Sequence, residues 1–330
     1  MTSSRRQAFA QYVWLLAAVL VLVQVVGCGG DERGREFFSI SERTSSDNTT
    51  TVFAAFSGAG QLLVYRIANS GGGANLLTEQ TNDGNPGNDT AFHPFYRPDG
   101  SLIAFVSADD GNDDIFTMTQ SGGSRTQITA NAAGDSQPAF SPDGAKIAFV
   151  SNRGASNSND IWMMDPDGTN LQQLTSLAGD EQWPTLGPGP GGAVDYRLAF
   201  QYANPAGSPT DVYTADVDVG AGLAANLTNI TNTGGISEGG PSWDPTGTGA
   251  ATDRLLYHSD QGGEFAVFLR SIDGVTIAPV QLVPSSFSQG YPVWYPDGTR
   301  FTFTQARELW NAAPNAADPD PKRVTTRFPS

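Results

Sequence analysis

A phrase built on two prolines occurs five times, and its spacing constrains the fold more than any other feature of the chain. Each copy is a proline, a large apolar residue two positions on, and a second proline two beyond that. The copies are Pro94, Tyr96 and Pro98; Pro138, Phe140 and Pro142; Pro184, Leu186 and Pro188; Pro241, Trp243 and Pro245; and Pro292, Trp294 and Pro296. Their starts lie 44, 46, 57 and 51 residues apart. In four copies a glycine follows the second proline by two positions: Gly100, Gly144, Gly247 and Gly298. Repeats of this length, made of short β-rich runs joined by turn residues, predict an array of four-stranded blades.

The third blade shows the grammar. Residues 138–141 read as a strand that opens on proline, and Pro142, Asp143 and Gly144 as a tight turn, since Asp-Gly supplies the backbone angles a hairpin needs. Residues 146–151, 160–165 and 171–175 read as the second, third and fourth strands, with a turn at Pro166, Asp167 and Gly168. Blades two, four, five and six follow the same order. A weaker copy precedes Pro94, with strands at 52–57, 61–66 and 75–78 and a possible first strand at 37–40. The expectation is an all-β, six-bladed β-propeller of four-stranded antiparallel blades over residues 51–330. How the ring closes at blade one is left open. Proline lacks a backbone donor and is confined to strand starts, edges and bulges, so the opening proline predicts an innermost, channel-lining strand. The repeating residues Tyr96, Phe140, Leu186, Trp243 and Trp294 are expected to pack between blades.

Residues 138–151, followed by Asp160 to Asp165 and by Gln173, Leu174 and Thr175, resemble the TolB-type propeller repeat, also called PD40 or WD40-like. The likeness covers nearly all of the chain after its N-terminal segment and is specific for the repeat rather than for an activity. It implies a protein-binding propeller of the cell envelope. The additional N-terminal α/β domain of TolB-type proteins has no room here.

The N-terminal segment reads as a targeting signal. Arg5 and Arg6 precede an uncharged stretch, 7–27, whose apolar part is long enough to enter a membrane. Val25, Val26, Gly27 and Cys28 resemble a bacterial lipobox, and Cys28 is the only cysteine of the chain, which excludes an internal disulfide framework. The expectation is a signal peptide at 1–27 and a lipidated Cys28 at the head of a polar tether, 28–50, with an uncleaved anchor as the other possibility. Gly29, in place of an aspartate, points to the periplasmic face of the outer membrane or the cell surface.

The chain carries 34 acidic and 18 basic residues, a formal net charge of −16. No basic stripe is available for a phosphate backbone, so nucleic acid is not expected as a partner. Catalytic residue types are sparse: His93 and His258 are the only histidines. One G-x-S-x-G match, Gly235 to Gly239, runs into a strand rather than forming a strand-to-helix elbow. The expectation is no enzyme and no cofactor. Asp109, Asp110, Asp113 and Asp114 form an acidic run with a partial EF-hand pattern, but Ile115 and Ser121 stand where that pattern needs glycine and glutamate; they are weak calcium candidates.

Three residues before the repeating prolines come Ala91, Asp135, Glu181, Glu238 and Gln289. Asp135, Glu181 and Glu238, with Trp183 and Tyr291 as aromatic neighbours, would form a partial acidic ring at one channel mouth, suited to a basic or amide-rich peptide. The alternative is that each carboxylate satisfies donors within its own loop. The functional expectation is a lipid-anchored envelope module that binds a protein or peptide, with a carbohydrate-binding or polysaccharide-acting propeller, possibly calcium-dependent, as the alternative.

Overall fold

The computed structural model describes residues 43–44, 49–56, 61–70, 73–78, 90–108, 111–154, 158–203, 205, 208–247, 253–272, 279–282, 289–305, 308–314 and 322–324. The described residues form six sheets of four strands each, every sheet an antiparallel meander in chain order. Blade one comprises Arg43–Thr44, Thr50–Phe56, Leu62–Ala68 and Asn75–Leu76; blade two Ala91–Tyr96, Leu102–Ser107, Asp114–Thr119 and Thr126–Gln127. Blade three comprises Asp135–Phe140, Ile147–Ser151, Asp160–Met164 and Gln172–Gln173; blade four Asp180–Gly191, Val194–Ala203, Asp211–Asp218 and Leu223–Asn229. Blade five comprises Glu238–Trp243, Arg254–Ser259, Ala266–Ser271 and Val280–Gln281; blade six Gln289–Trp294, Phe301–Gln305, Glu308–Ala312 and Lys322–Arg323. The chain is thus an all-β propeller of six four-stranded blades.

Two details correct the expected boundaries. Blade one begins with Arg43–Thr44, paired to Val52 and Thr51, so its first strand lies within the stretch read as tether. The possible strand at 37–40 lies outside the described residues. In blades two, three, five and six, moreover, the repeating proline is the fourth residue of the innermost strand, and in blade four the fifth, not the first. In each of these five strands the pairing register slips next to the proline, a β-bulge. A bulge is where a strand tolerates a residue without an N–H.

The other repeat residues hold each blade together. The strand-three aspartates Asp114, Asp160 and Asp211 accept hydrogen bonds from Gln127 (3.3 Å), Gln173 (2.9 Å) and Asn229 (2.9 Å) of the outermost strands. Two residues further on, a threonine hydroxyl accepts a strand-three N–H: Thr129 from Ile115, Thr175 from Ile161 and Thr231 from Val212, at 2.9–3.0 Å. Thr78 does the same for Val64 in blade one. The Gln-Leu-Thr signature is therefore a clamp between the third strand and the segment at the blade's edge, where a two-residue strand has few ladder bonds of its own.

Apolar residues on facing blades fuse the ring. Tyr96 packs with Val52 and Val64 of blade one, Phe140 with Phe95 and Ile115 of blade two, and Leu186 with Ile161 and Met163 of blade three. Trp243 packs with Ala199 and Val212, and Trp294 with Leu256 and Val267. The five repeating large residues are at most 4% exposed and lie between blades as expected. Closure needs no exchanged strand: Phe53, Ala55 and Ile67 of blade one pack against Leu309 of blade six and Val324 just beyond its last strand.

Blade four departs from the grammar. Its first two strands run to twelve and ten residues and continue through the Gly-Pro repeat, where Gly187 pairs with Arg197 and Pro188 with Tyr196. Gly191 and Gly192 turn the hairpin at φ of 90° and 77°, angles that glycine adopts without strain. Gly187 has a packing reason: a Cβ there would lie 2.6 Å from Cγ of Trp243 in blade five. Gly187→Ala is expected to destabilise the fold by about 1–3 kcal/mol through overpacking. The check is a drop in the melting temperature followed by circular dichroism.

Candidate binding site in the central channel

The bulges place one residue from each of blades two to six at the middle of the ring. The residue before each repeating proline has a left-handed backbone: His93 (φ 50°), Gln137 (53°), Trp183 (54°), Gly240 (54°) and Tyr291 (49°). Non-glycine residues seldom hold such angles, and the surrounding ladder must enforce them. The N–H groups freed at two bulges find side-chain acceptors: Trp183 N donates to Gln137 Oε1 at 2.5 Å, and Tyr291 N to His258 Nδ1 at 3.3 Å.

Side chains from non-adjacent blades meet across the channel. The His93 ring of blade two stands edge-on to Trp183 of blade four at 5.1 Å, and Trp183 lies 5.0 Å from Tyr291 of blade six. Tyr291 in turn contacts His258 at 5.2 Å. Blades two, four and six share no edges, so these contacts run through the central space. Together the rings form an aromatic plug at mid-channel. Burial holds His93 down to about 3 and His258 down to about 4, so both are neutral at physiological pH, and burial pushes the Tyr291 phenol up. His258 belongs to the second strand of blade five and packs into the plug; Gly239 and Gly240 leave the room it occupies.

A small open cavity of about 50 Å³ rests on the plug. Its lining runs in blades three to six from the bulge residue to the second residue after it, as in Gln137, Pro138 and Ala139, and includes Phe95 of blade two. The cavity therefore faces the end of the ring that carries the Pro-Asp-Gly turns. Trp183 and Tyr291 line it, as expected of channel residues, but from its floor rather than from a mouth.

The acidic residues predicted to ring the opposite mouth do not form an exposed ring. Asp135, Glu181 and Glu238 are 0%, 0% and 2% exposed. Each lies at or next to the start of an innermost strand and donates its N–H to the preceding blade: Asp135 to Asp113 O, Glu181 to Asn159 O and Glu238 to Thr210 O, at 2.8–2.9 Å, and Gln289 repeats the bond to Phe265 O. Their side chains serve the same joints. Asp135 accepts from Arg153 Nη2 at 2.6 Å and Asn131 Nδ2 at 2.9 Å. Glu181 accepts from the Thr175 hydroxyl, from Leu177 N at 2.8 Å and from Ile161 N at 3.2 Å. Glu238 accepts from Thr233 Oγ1 at 2.5 Å. The bulge explains the error: it breaks the alternation of faces, so the residue before the proline reaches the channel while the one two positions earlier turns between blades.

Burial pushes Glu181 up to about 7, against the hydrogen bonds it accepts, and also raises Glu238. A carboxyl whose folded value is raised is stabilised in its protonated form, and that stability is lost as pH rises from the unfolded value through about 7. The advantage of wild type over Glu181→Gln is therefore expected to shrink by about 1–3 kcal/mol between pH 5 and pH 8. Paired melting curves check this, because the histidine contributions cancel in the difference.

Of the calcium candidates, Asp109 and Asp110 lie outside the described residues. Asp114 is engaged by Gln127 and Thr129. Asp113 is raised to about 6 by burial and by the charges of Asp114 and Asp135. Among the described residues no group of three or more acidic, histidine or cysteine side chains could hold a metal ion. The G-x-S-x-G match leads from a loop directly into Glu238–Trp243, with no helix after it. Cys28 lies outside the described residues.

Comparison with known proteins agrees with this architecture. Residues 75–193 match the family described as the TolB beta propeller domain, PD40. An uncharacterised Agrobacterium fabrum protein is 25% identical over 191 residues, 57% of this chain and 60% of its own length. The Tol-Pal system protein TolB of Francisella tularensis is 32% identical over 82 residues, 25% of this chain and 19% of its own length. The matches thus span less than two thirds of these relatives. Among solved structures, TolB from Acinetobacter baumannii superposes with a TM-score of 0.61 at 17% identity, covering 84% of this chain and 67% of that one. An oligogalacturonate lyase in complex with manganese superposes at 0.55 and 16% identity, covering 88% and 77%. At such identities the likeness concerns the fold. Residues 75–193 thus match the TolB-type PD40 repeat, and the described residues form a six-bladed β-propeller like that of the solved TolB structure.

Proposed function

We propose that this protein is a non-catalytic, lipid-anchored module of the cell envelope, whose channel receives a segment of a partner protein on the side of the Pro-Asp-Gly turns. One observation carries the reading: the aromatic plug leaves an open, largely apolar cavity at that end, floored by Trp183 and Tyr291 and walled by prolines. Apolar and aromatic pockets with few polar groups are where partner side chains anchor. The location is supported by the likeness to TolB and by the lipobox-like run ending at Cys28, which would tether the ring to the periplasmic face of the outer membrane or the cell surface after removal of 1–27.

The non-catalytic part of the reading rests on how the reactive residue types are used. His93 is buried and packed on Trp183, while His258 is buried and accepts the Tyr291 N–H. The buried carboxylates join blades. Fold relatives include a lyase and a peptidase, so the decision lies with these residues rather than with the fold.

The test is crosslinked capture from envelope extract with the full-length protein beside Val293→Arg, which fills the cavity from the inner strand of blade six. Melting curves establish that the variant is folded. A discrete partner held by wild type and lost by the variant is expected. A partner held equally by both would move the site off the channel, and no partner at all would contradict the binding role.

A further inference from the structure

The cavity has a chemistry more specific than apolar. Phe95, Trp183 and Tyr291 contribute aromatic rings, prolines from four blades form its walls, and no lysine, arginine, histidine or carboxylate lines it. Gln137 brings the only side-chain amide, and its oxygen is occupied by the Trp183 N–H. The charge lies further out. Asp99, Asp143 and Asp297 are exposed at the tips of the first turns of blades two, three and six, each six positions beyond a plug or bulge residue.

Two of those carboxylates, Asp99 and Asp143, are built to stay ionised. Asp99 accepts from Ser101 N and Oγ at 2.9 and 2.6 Å, and Asp297 from Thr299 N and Oγ1 at 2.9 and 2.7 Å. Burial acts to raise Asp99 and Asp143, but the turn hydrogen bonds outweigh it and leave both below the ordinary carboxylate value. Asp99 is partly countered by Arg97 at 3.6 Å; Asp143 accepts from the Tyr196 hydroxyl at 2.8 Å and keeps its charge. A visitor to this face meets these exposed carboxylates, beside Arg97 and the paired Lys146 and Arg254, before it reaches the aromatic faces.

We infer that the side chain received by this cavity is an arginine presented by the partner protein. The inference rests on the protein-binding reading above and names the partner's chemistry. A guanidinium is planar, weakly hydrated and stacks on aromatic faces, so it can leave water for a cavity without a carboxylate inside it. An ammonium is more strongly hydrated and loses more on entry. An aliphatic side chain would use the proline walls but gain nothing from the carboxylates outside, whereas a cation is steered by them.

The test is titration of the full-length protein, labelled with ¹⁵N at its tryptophan indoles, with three acetylated tripeptide amides: Gly-Arg-Gly, Gly-citrulline-Gly and Gly-Leu-Gly. The Trp183 indole signal is assigned from its absence in Trp183→Leu. A saturable shift of that signal by the arginine peptide is expected, at least about tenfold stronger than with neutral, near-isosteric citrulline, and weakened by added salt. Citrulline or leucine binding as tightly as arginine would overturn the inference, and so would no shift with any peptide. If the capture experiment still yields a Val293-dependent partner in those cases, the protein-binding reading survives and only the arginine assignment fails.

Discussion

Replacing Trp294 by alanine is expected to destabilise the ring by about 3–5 kcal/mol, the range for truncating a buried tryptophan. Trp294 is 1% exposed and sits between blades five and six. Its indole N–H donates to Ser242 O at 3.1 Å, and its own N–H to Ser242 Oγ at 3.3 Å. The Arg254 guanidinium lies 4.9 Å above the ring, and Phe301 meets it edge-on at 6.3 Å. Truncation would open a cavity, leave Ser242 O without its indole donor and remove the surface on which Arg254 rests. Arg254 also pairs with Asp244 of its own blade, so the loss extends to a largely buried ion pair. Trp294→Phe keeps most of the volume and should lose roughly half as much. Chemical denaturation of the two variants beside wild type gives both values. A Trp294→Ala loss below about 1 kcal/mol would mean that this blade interface is not packed as described.

The second large effect is expected at Arg153→Met, again about 3–5 kcal/mol, for an electrostatic reason. Asp135 is fully buried, and Arg153 Nη2 meets its Oδ2 at 2.6 Å while Nε donates to Ser151 Oγ at 2.9 Å. The guanidinium is held over Phe149 and Trp162, at 5.2 and 5.3 Å from their ring centres. Methionine would replace much of the packing but leave a buried carboxylate with Asn131 as its remaining side-chain partner. The double variant Arg153→Met/Asp135→Asn removes that charge and should recover most of the loss, because a neutral pair in the same place is far less costly than half an ion pair. If the double variant were as unstable as the single one, the loss would lie in packing and not in the unpaired charge.

The architecture was legible because it is carried by residues whose backbone chemistry is restrictive. Prolines without an N–H, Pro-x-Gly turns and clamps like Gln173-Leu174-Thr175 recur in the same order from blade to blade, and each has a single structural use. The large residue two after the proline was legible as core for the same reason, since Tyr96, Phe140 and Trp294 occupy equivalent sites. What could not be read was the direction of Asp135, Glu181 and Glu238. They were read as loop residues ahead of a strand that opens on proline, whereas they lie at or next to the start of the inner strand, and their direction depends on a bulge formed by His93, Gln137, Trp183 and Tyr291, residue types that do not announce a left-handed backbone. Gly240, at the same position in blade five, was the only local signal. The blade-four hairpin was missed because its strands run through glycines and prolines that ordinarily end a strand.

The direct measurement of the account's central claim, that the cavity end of the channel is where a partner docks, is site-specific photo-crosslinking. A photoreactive phenylalanine analogue is placed in the full-length protein at Val293, which lines the cavity, and separately at Gln281 on the exposed outer strand of blade five. The account predicts a discrete crosslinked protein from Val293 and none from Gln281 when cells are irradiated. The same adduct from Gln281 with nothing from Val293 would contradict it and assign binding to the rim of the ring.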